Sequence, residues 1–315
     1  MQMFIEPIYK DALVFSSLLS LLSLGLTLTF LTTRIPNFAH GCFATVGIYV
    51  ALTVHKVFKA DIYYGLPLAF LLTGFLALLQ YLVVLKPLSR RRASVITLMV
   101  ATIALELILL AVLNIYADYL ARTFKISSRY FQLRGADFQL AGERGLLFVA
   151  PSLVAITTLL LHLALTKTKF GVAMRATIEN PDLASALGIN ADLVYKVSWF
   201  LAGGLAGLAG GLLPLWFIGN PDTGDYMLVS IFAASVTGGL FSIYGGLFGG
   251  FFVGFVEVLG TGKLALSVGT WIIPYRPIIP LLAMVITLLI APRGITGIMV
   301  SRVRFKWIRV WRWTG

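Results

Sequence analysis

Two glutamates lie inside long apolar segments of this chain, where an ionisable side chain has no bulk water to solvate it. Glu106 falls near the middle of one segment, and Glu257 falls in a second. Charged groups at membrane depth are costly and mark ion or solute pathways in the interior of a helix bundle. Each glutamate is therefore a candidate for contact with a solute, and Glu106 is the stronger of the two. A carboxyl group hydrogen-bonded inside the bundle, or one close to the interface, is the structural alternative.

A second polar group lies in the sequence RIPNFAHG, residues 34–41. Pro36 disrupts a helix, and Asn37 and His40 bring polar atoms between two apolar runs. Transporter sites are often built at broken helices, where freed backbone groups can meet a solute. A tight turn at the membrane surface explains the same pattern equally well. His40 has no second histidine or cysteine at ligand spacing, so we expect no metal site.

The sequence contains none of the motifs that would indicate an enzyme. It has no HExxH, no GxSxG, no paired-carboxylate pattern and no GxxxxGK[ST] phosphate loop. Its one cysteine, Cys42, cannot form an intrachain disulfide and is expected to be a small core residue. We therefore expect no catalytic residue, no cofactor on this chain and no ATP site of its own.

The elements that hold these residues are predicted from the composition. Of 315 residues, 59% are hydrophobic and 12% are charged, whereas a soluble domain usually has about 25% charged residues. Apolar runs fall near 12–33, 41–54, 65–85, 94–116, 146–165, 195–218, 228–243, 245–260 and 274–291. Since a spanning helix needs about 20 residues, they predict an all-α polytopic membrane bundle of about 8–9 transmembrane helices. Short or broken helices are expected near 34–54 and 228–260.

Positive charge predicts the orientation of the bundle. The net charge is +12, and lysines and arginines cluster in the loops 86–93 and 166–194 and in the tail 292–315. Cytoplasmic loops carry such an excess, so we place all three in the cytoplasm. The basic 117–145 loop, placed outside, is the exception. Because these charges border membrane segments, nucleic-acid binding is not expected. The aromatic and basic tail is expected to lie in the lipid headgroups.

The polar stretch RATIENPDLASALGIN, residues 175–190, carries its own helix start and stop. Asn180 is a good N-cap, Pro181 suits the first helical position, and Asp182 complements the positive end of the helix dipole. Gly188 suits the left-handed position after the helix. An apolar face is formed by Leu183, Ala184 and Leu187. So short a helix needs a surface to pack on, and a partner protein and its own bundle or lipid are equally good candidates.

Glycines recur every four residues in two later segments. The first set is Gly203, Gly207 and Gly211, and the second is Gly246, Gly250 and Gly254. Small residues at this spacing let helix backbones approach closely in lipid. The pattern predicts tight helix packing, within this chain or with a second membrane subunit.

Four segments in the same order resemble one family over nearly the whole chain. They are IPNFAHGCFATVGIYVAL from Ile35, FGVAMRATIENPDLASALGI from Phe170 to Ile189, AASVTGGLFSIYGGLFGG from Ala233 and APRGITG from Ala291. The chain resembles the H-type permease subunit of branched-chain amino acid ABC transporters. The segment from Phe170 is the most specific of the four.

The resemblance implies a single transmembrane permease domain, residues 1–315, in the plasma membrane. It implies that residues 180–188 of the cytoplasmic loop dock on a separate ATPase and transmit its closure. The implied machine has two ATP-binding cassette subunits that use ATP, a second permease of the same or a homologous sequence, and an external solute-binding protein. With this function, Asn37, His40 and Glu106 become the candidate residues of a solute path, and a surface turn stays the alternative for residues 34–41.

The sequence departs from the family pattern at two positions. Cys42 stands where the family commonly has glutamate, and Glu106 appears in a segment where the family often has glutamine. The cargo is therefore open among branched-chain amino acids, other amino acids, amides and urea. The alternative function is a secondary transporter driven by an ion gradient, with Glu106 and Glu257 as its coupling sites.

Overall fold

The structure is a computed structural model that describes residues 7–292 and 294–297. Within these residues the chain forms twelve α-helices and one small hairpin. The helices are α1 (Pro7–Thr33), α2 (His40–Lys56), α3 (Gly65–Gln80), α4 (Lys86–Arg90), α5 (Val95–Phe124), α6 (Leu146–Lys167), α7 (Lys169–Glu179), α8 (Pro181–Ala186), α9 (Ala191–Leu212), α10 (Thr223–Gly238), α11 (Ile243–Val268) and α12 (Ile278–Ile290). The antiparallel hairpin pairs β1 (Gln139–Leu140) with β2 (Glu143–Arg144).

The helices confirm the prediction of an all-α polytopic membrane protein. In the part of the chain that is described, seven stretches are long and apolar enough to cross a membrane. They are carried by α1, α3 with α4, α5, α6, α9, α11 and the stretch from Ile278. The shorter α2 and α10 have 17 and 16 residues. The later short pair differs from the expectation, because α11 continues to Val268 as a 26-residue helix.

Glycine faces join the central helices. In α9, Gly203 and Gly207 lie against Thr73 of α3, and Gly211 lies against Leu66 at its start. In α11, the spaced glycines lie against serines and a threonine of α1. The contacts of the second set are Gly246 with Ser23 and Thr27, Gly250 with Ser20, and Gly254 with Ser16. The structure thus places both sets at helix contacts within this chain.

We expect Gly207→Leu to destabilise the bundle by about 1–3 kcal/mol, the usual cost of overpacking a close-packed site. A Cβ on Gly207 would overlap with the Thr73 side chain and the Ala69 carbonyl group. The measurement is the thermal unfolding midpoint of the purified chain in detergent. Gly135→Leu is the matched control, since a Cβ there meets nothing within 4 Å. Equal midpoints for the two variants would contradict the packing role of Gly207.

Ion pairs and hydrogen bonds show which loops share an end of the bundle. Lys86 pairs with Asp192 at 2.8 Å, so the 86–93 loop and the start of α9 lie together with α7 and α8. We call this the loop-helix end. At the opposite, hairpin end, Lys10 pairs with Glu143 of β2. The basic tail lies mostly outside the described residues.

Candidate functional site

The chain break between α1 and α2 begins at the surface, where Arg34 is exposed, and runs into the bundle, where Asn37 and His40 are buried. Residues 34–39 form no helix, and α2 begins at His40. The His40 Nε2–H donates a hydrogen bond to the Leu22 carbonyl oxygen at 3.0 Å. Leu22 precedes the end of α1 at Thr33 by eleven residues, which is about 16 Å along a helix axis. The polar start of α2 is therefore deep in the bundle, as expected for a broken helix.

Asn37 is fully buried and meets a polar partner that the sequence did not indicate. Gln80, at the end of α3, donates from Nε2 to the Asn37 Oδ1 at 3.0 Å. Three buried polar atoms in this region have no hydrogen-bond partner among the described residues: Asn37 Nδ2, His40 Nδ1 and Gln80 Oε1. Buried polar atoms are normally paired, so these donors and acceptors are free for a polar solute or water. Gln80 could have been found as a polar residue within an apolar run.

The long helix α5 fixes the break from one side. The Thr102 Oγ1 accepts a hydrogen bond from the Phe38 backbone N–H at 3.2 Å. One turn later on the same buried stripe lies Glu106, which is 9% exposed. The Cys42 Sγ donates to the Glu106 backbone oxygen at 3.7 Å. The structure therefore brings Glu106 to the first turn of α2, near the break that holds Asn37 and His40.

A second acidic residue, Asp225, joins Glu106 there. Cys42, Glu106 and Asp225 each place one ligand atom within 4.8 Å of the other two. Asp225 lies in the first turn of the short helix α10, and that turn packs on α2 through Gly41 and Gly224. Sulfur and two carboxyl oxygens make this a cluster of negative character. We call these three residues the carboxyl cluster.

Sequence reasoning missed Asp225 because its apolar run was taken to start at residue 228. The sequence NPDTGDY before that run holds two acids. A helix start just before an apolar run, with an acid in its first turn, was the available signal. Only the tertiary contact between Gly41 and Gly224 shows which of the two acids faces Glu106.

Glu257 has a different environment from Glu106. The Arg276 Nε donates to the Glu257 Oε1 at 2.6 Å, and the Glu257 side chain is 4% exposed. The Arg276 guanidinium lies 4.2 Å from the ring centre of Phe15 and 5.3 Å from that of Trp216. Glu257 thus belongs to a buried ion pair stacked on aromatic rings, which is the structural alternative stated for it above.

At the loop-helix end, α8 has the caps that its sequence specifies. The Asn180 Oδ1 accepts hydrogen bonds from the Asp182 and Leu183 backbone N–H groups at 3.1 and 3.0 Å. Pro181 takes the first helical position, and Gly188 follows the helix with φ +82°. The Ile189 N–H closes the end by bonding the Ala184 carbonyl at 3.0 Å. These local bonds hold six residues in a helix that is too short to be stable alone.

The apolar residues of α8 divide between two faces. Ala184 is buried, and it packs inward. Leu183 is 58% exposed and Leu187 is 73% exposed. The three residues are therefore not buried alike: Ala184 is covered by the chain, and the two leucines are left exposed. Two exposed leucines on a capped helix in a polar loop make a surface suited to an apolar groove.

Helix α7 connects α8 to the bundle. Its Met174 is buried in a cluster with Leu28 of α1 and with Val194 and Ala202 of α9. The Arg175 side chain also donates to the Leu165 carbonyl oxygen at the end of α6. Movement of α8 would therefore be passed to three membrane helices through packed side chains.

We expect Asn180→Ala to loosen α8, because an N-cap loss costs about 1 kcal/mol of helix stability. The rate of amide hydrogen exchange in residues 181–188 should rise several-fold. Asn180→Asp keeps the cap, since aspartate caps as well as asparagine, and should retain the rate. Wild-type rates for Asn180→Ala would rule out a role for the cap.

The sequence has relatives among known proteins. Residues 8–290 match the family model described as the branched-chain amino acid transport system permease component. The chain is 47% identical over 293 residues to a probable branched-chain amino acid transport permease protein LivH of Methanocaldococcus jannaschii, covering 93% of each chain. It is 32% identical over 151 residues to the high-affinity branched-chain amino acid transport system permease protein LivH of Escherichia coli K12, covering 46% of this chain and 47% of that protein.

A solved structure shares the fold. A chain in the structure of PsaBC from Streptococcus pneumoniae in complex with Fab matches with a TM-score of 0.50 and 14% identity. The match covers 92% of this chain and 94% of that one. At this identity the likeness concerns the fold alone.

Proposed function

This chain belongs to the branched-chain amino acid transport system permease family, and from that premise we propose that it carries branched-chain or related amino acids into the cell. Members of the family are permease subunits of ABC importers and multi-pass proteins of the plasma membrane. Such a permease works with ATPase subunits and a solute-binding protein. We propose that ATP is hydrolysed on those separate subunits and that α8 couples their closure to transport.

The observation that carries the proposal is the pair of exposed leucines on α8. Leu183 and Leu187 point away from the protein, while α7 holds α8 against α1, α6 and α9. A helix whose only purpose was to cover its own bundle would bury these leucines. Their exposure favours docking on a partner over packing on this chain. The loop-helix end is then the cytoplasmic end, since the ATPase works in the cytoplasm.

We propose two permeases, two ATPase subunits and one external binding protein per transporter. The basic loop 86–93 lies at the same end as α8 through the Lys86–Asp192 pair, in agreement with an excess of positive charge on the cytoplasmic side. The hairpin end is left for the binding protein. Asn37, His40 and Glu106 lie in the interior between these two ends and are the proposed solute path.

The test begins with the cargo. The cognate binding protein is screened against branched-chain amino acids, other amino acids, short amides and urea. The reconstituted transporter is then assayed for ATP hydrolysis stimulated by that loaded protein, and for uptake of the same solute. Leucine, isoleucine or valine should bind and stimulate hydrolysis. If only urea or an amide stimulates hydrolysis, the proposal that the cargo is a branched-chain amino acid is wrong. Uptake without ATP hydrolysis would contradict the proposed coupling to the ATPase subunits.

A further inference from the structure

We propose that Glu106 and Asp225 bind the ammonium group of the amino acid in transit, an inference that rests on the proposed transport function. The two carboxyl groups come from different helices, α5 and α10, and each has an oxygen within 4.8 Å of the other and of the Cys42 Sγ. Two adjacent carboxyl groups are a natural site for a compact cation such as an alkylammonium group.

Within the described part of the chain, the cluster has no cation of its own. Among residues 7–292 and 294–297, no lysine, arginine or histidine forms a salt bridge with Glu106 or Asp225. Glu106 is only 9% exposed, and the buried Asp225 Oδ1 has no hydrogen-bond partner among those residues. Buried charges are costly unless they are paired. A positive group from outside the chain would supply the missing partner.

Two short helices favour negative charge at this point. Cys42 lies in the first turn of α2 and Asp225 in the first turn of α10, and Gly41 and Gly224 bring these turns into contact. The N-terminal end of a helix carries a partial positive charge, so it stabilises an anionic side chain nearby. Transporter sites are commonly built from such discontinuous helices. The helix ends therefore favour one negative charge on the pair, since two carboxyl groups this close do not both ionise.

The cluster lies close to one exposed face of the bundle. Leu107, next to Glu106, is 62% exposed, and Tyr226, next to Asp225, is 63% exposed. An acidic pair so close to the surface of a membrane helix bundle is expected to border a water-filled path and not lipid.

Cys42 is the only cysteine in the chain, which makes it a reporter inside the cluster. The transporter complex is labelled with 2-aminoethyl methanethiosulfonate, which is cationic, or with its neutral 2-hydroxyethyl analogue. Labelling of this subunit is followed by intact mass. The cationic reagent should react at least about ten-fold faster, because the carboxyl groups concentrate it at the thiol.

The ratio of the two rates is the readout, since it cancels the intrinsic reactivity of the thiol. In the near-isosteric Glu106→Gln/Asp225→Asn variant the ratio should fall to about one. Continued labelling by the neutral reagent shows that the cluster has kept its shape. Equal rates for both reagents in the wild type, no labelling by either, or a ratio unchanged in the variant would each overturn the proposal.

A competition experiment tests the ammonium site and the identity of the cargo separately. Isobutylammonium chloride should slow labelling by the neutral reagent in the wild type but not in the variant, whereas sodium chloride at equal ionic strength should not. L-Leucine should protect in the same way. If isobutylammonium protects Cys42 and L-leucine does not, the ammonium site is supported and leucine is overturned as the cargo. Protection by Mn²⁺ alone would overturn the proposal in favour of a metal site.

Discussion

Leu187→Asp is expected to abolish co-purification of the ATPase subunit and to stop ATP-driven uptake. Leu187 is 73% exposed at the end of α8, so it is available to fill an apolar groove on a partner. Burying a leucine contributes about 2 kcal/mol, and that loss alone weakens binding about thirty-fold. The aspartate adds the cost of placing a charge in an apolar groove. The measurements are pull-down of the ATPase by tagged permease and uptake into proteoliposomes.

The control for this variant is the same substitution at the other end of the molecule. Leu140 is 52% exposed on β1 of the hairpin, and Leu140→Asp should leave ATPase binding unchanged, because the hairpin lies at the opposite end of the bundle from α8. The pair separates loss of a docking contact from a general effect of a charge on an exposed leucine. If Leu187→Asp co-purifies with the ATPase and supports uptake as the wild type does, α8 is not the docking helix.

The residues of α8 were predictable because caps are local. Asn180, Pro181 and Gly188 act on backbone groups within a few residues, so their sequence spacing specifies the helix. The direction of Ala184 was not predictable in the same way. It faces inward because of where α7 places α8 on the bundle, and that depends on the cluster around Met174, which joins residues far apart in the sequence.

The region around the α1–α2 break was also only partly predictable from the sequence. Proline, asparagine and histidine in one short segment predict a break in the helix, and Glu106 in an apolar run predicts an interior carboxyl group. Their partners come from elsewhere: Gln80 meets Asn37, and Asp225 meets Glu106. Hydrophobic periodicity predicts which face of a helix is buried, but not which polar residue of another helix it will meet.

The alternative function, a secondary transporter driven by an ion gradient, would require a specific role for Glu257. A secondary transporter that used Glu257 as an ion-coupling site would need this carboxyl group to bind and release its ion. The structure instead gives it Arg276 at 2.6 Å, with the guanidinium stacked on Phe15 and Trp216. The pair joins Arg276, which follows the 3-10 turn Thr270–Tyr275, to α11, and the stacked guanidinium adds a contact with α1. It is therefore a structural contact, and it leads to a prediction about stability.

Arg276→Ala is expected to destabilise the protein by about 3–5 kcal/mol, because it leaves the buried Glu257 carboxylate without its partner. Arg276→Lys should recover only part of this loss, since an ammonium group cannot reproduce the stacking of a guanidinium on aromatic rings. The measurements are the thermal unfolding midpoint in detergent and the yield of folded protein. Destabilisation should be greatest when only one charge of the pair is removed.

The double variant Arg276→Met/Glu257→Leu decides between the two roles. If the ion pair is structural, replacing both charges with apolar groups of similar volume should restore most of the stability, because neither group then needs solvation. ATP-driven uptake should return with it. If Glu257 couples an ion to transport, the double variant should fold and still fail in uptake, and Glu257→Gln alone should be stable and inactive. The stacked, hydrogen-bonded geometry of Arg276 favours the first outcome.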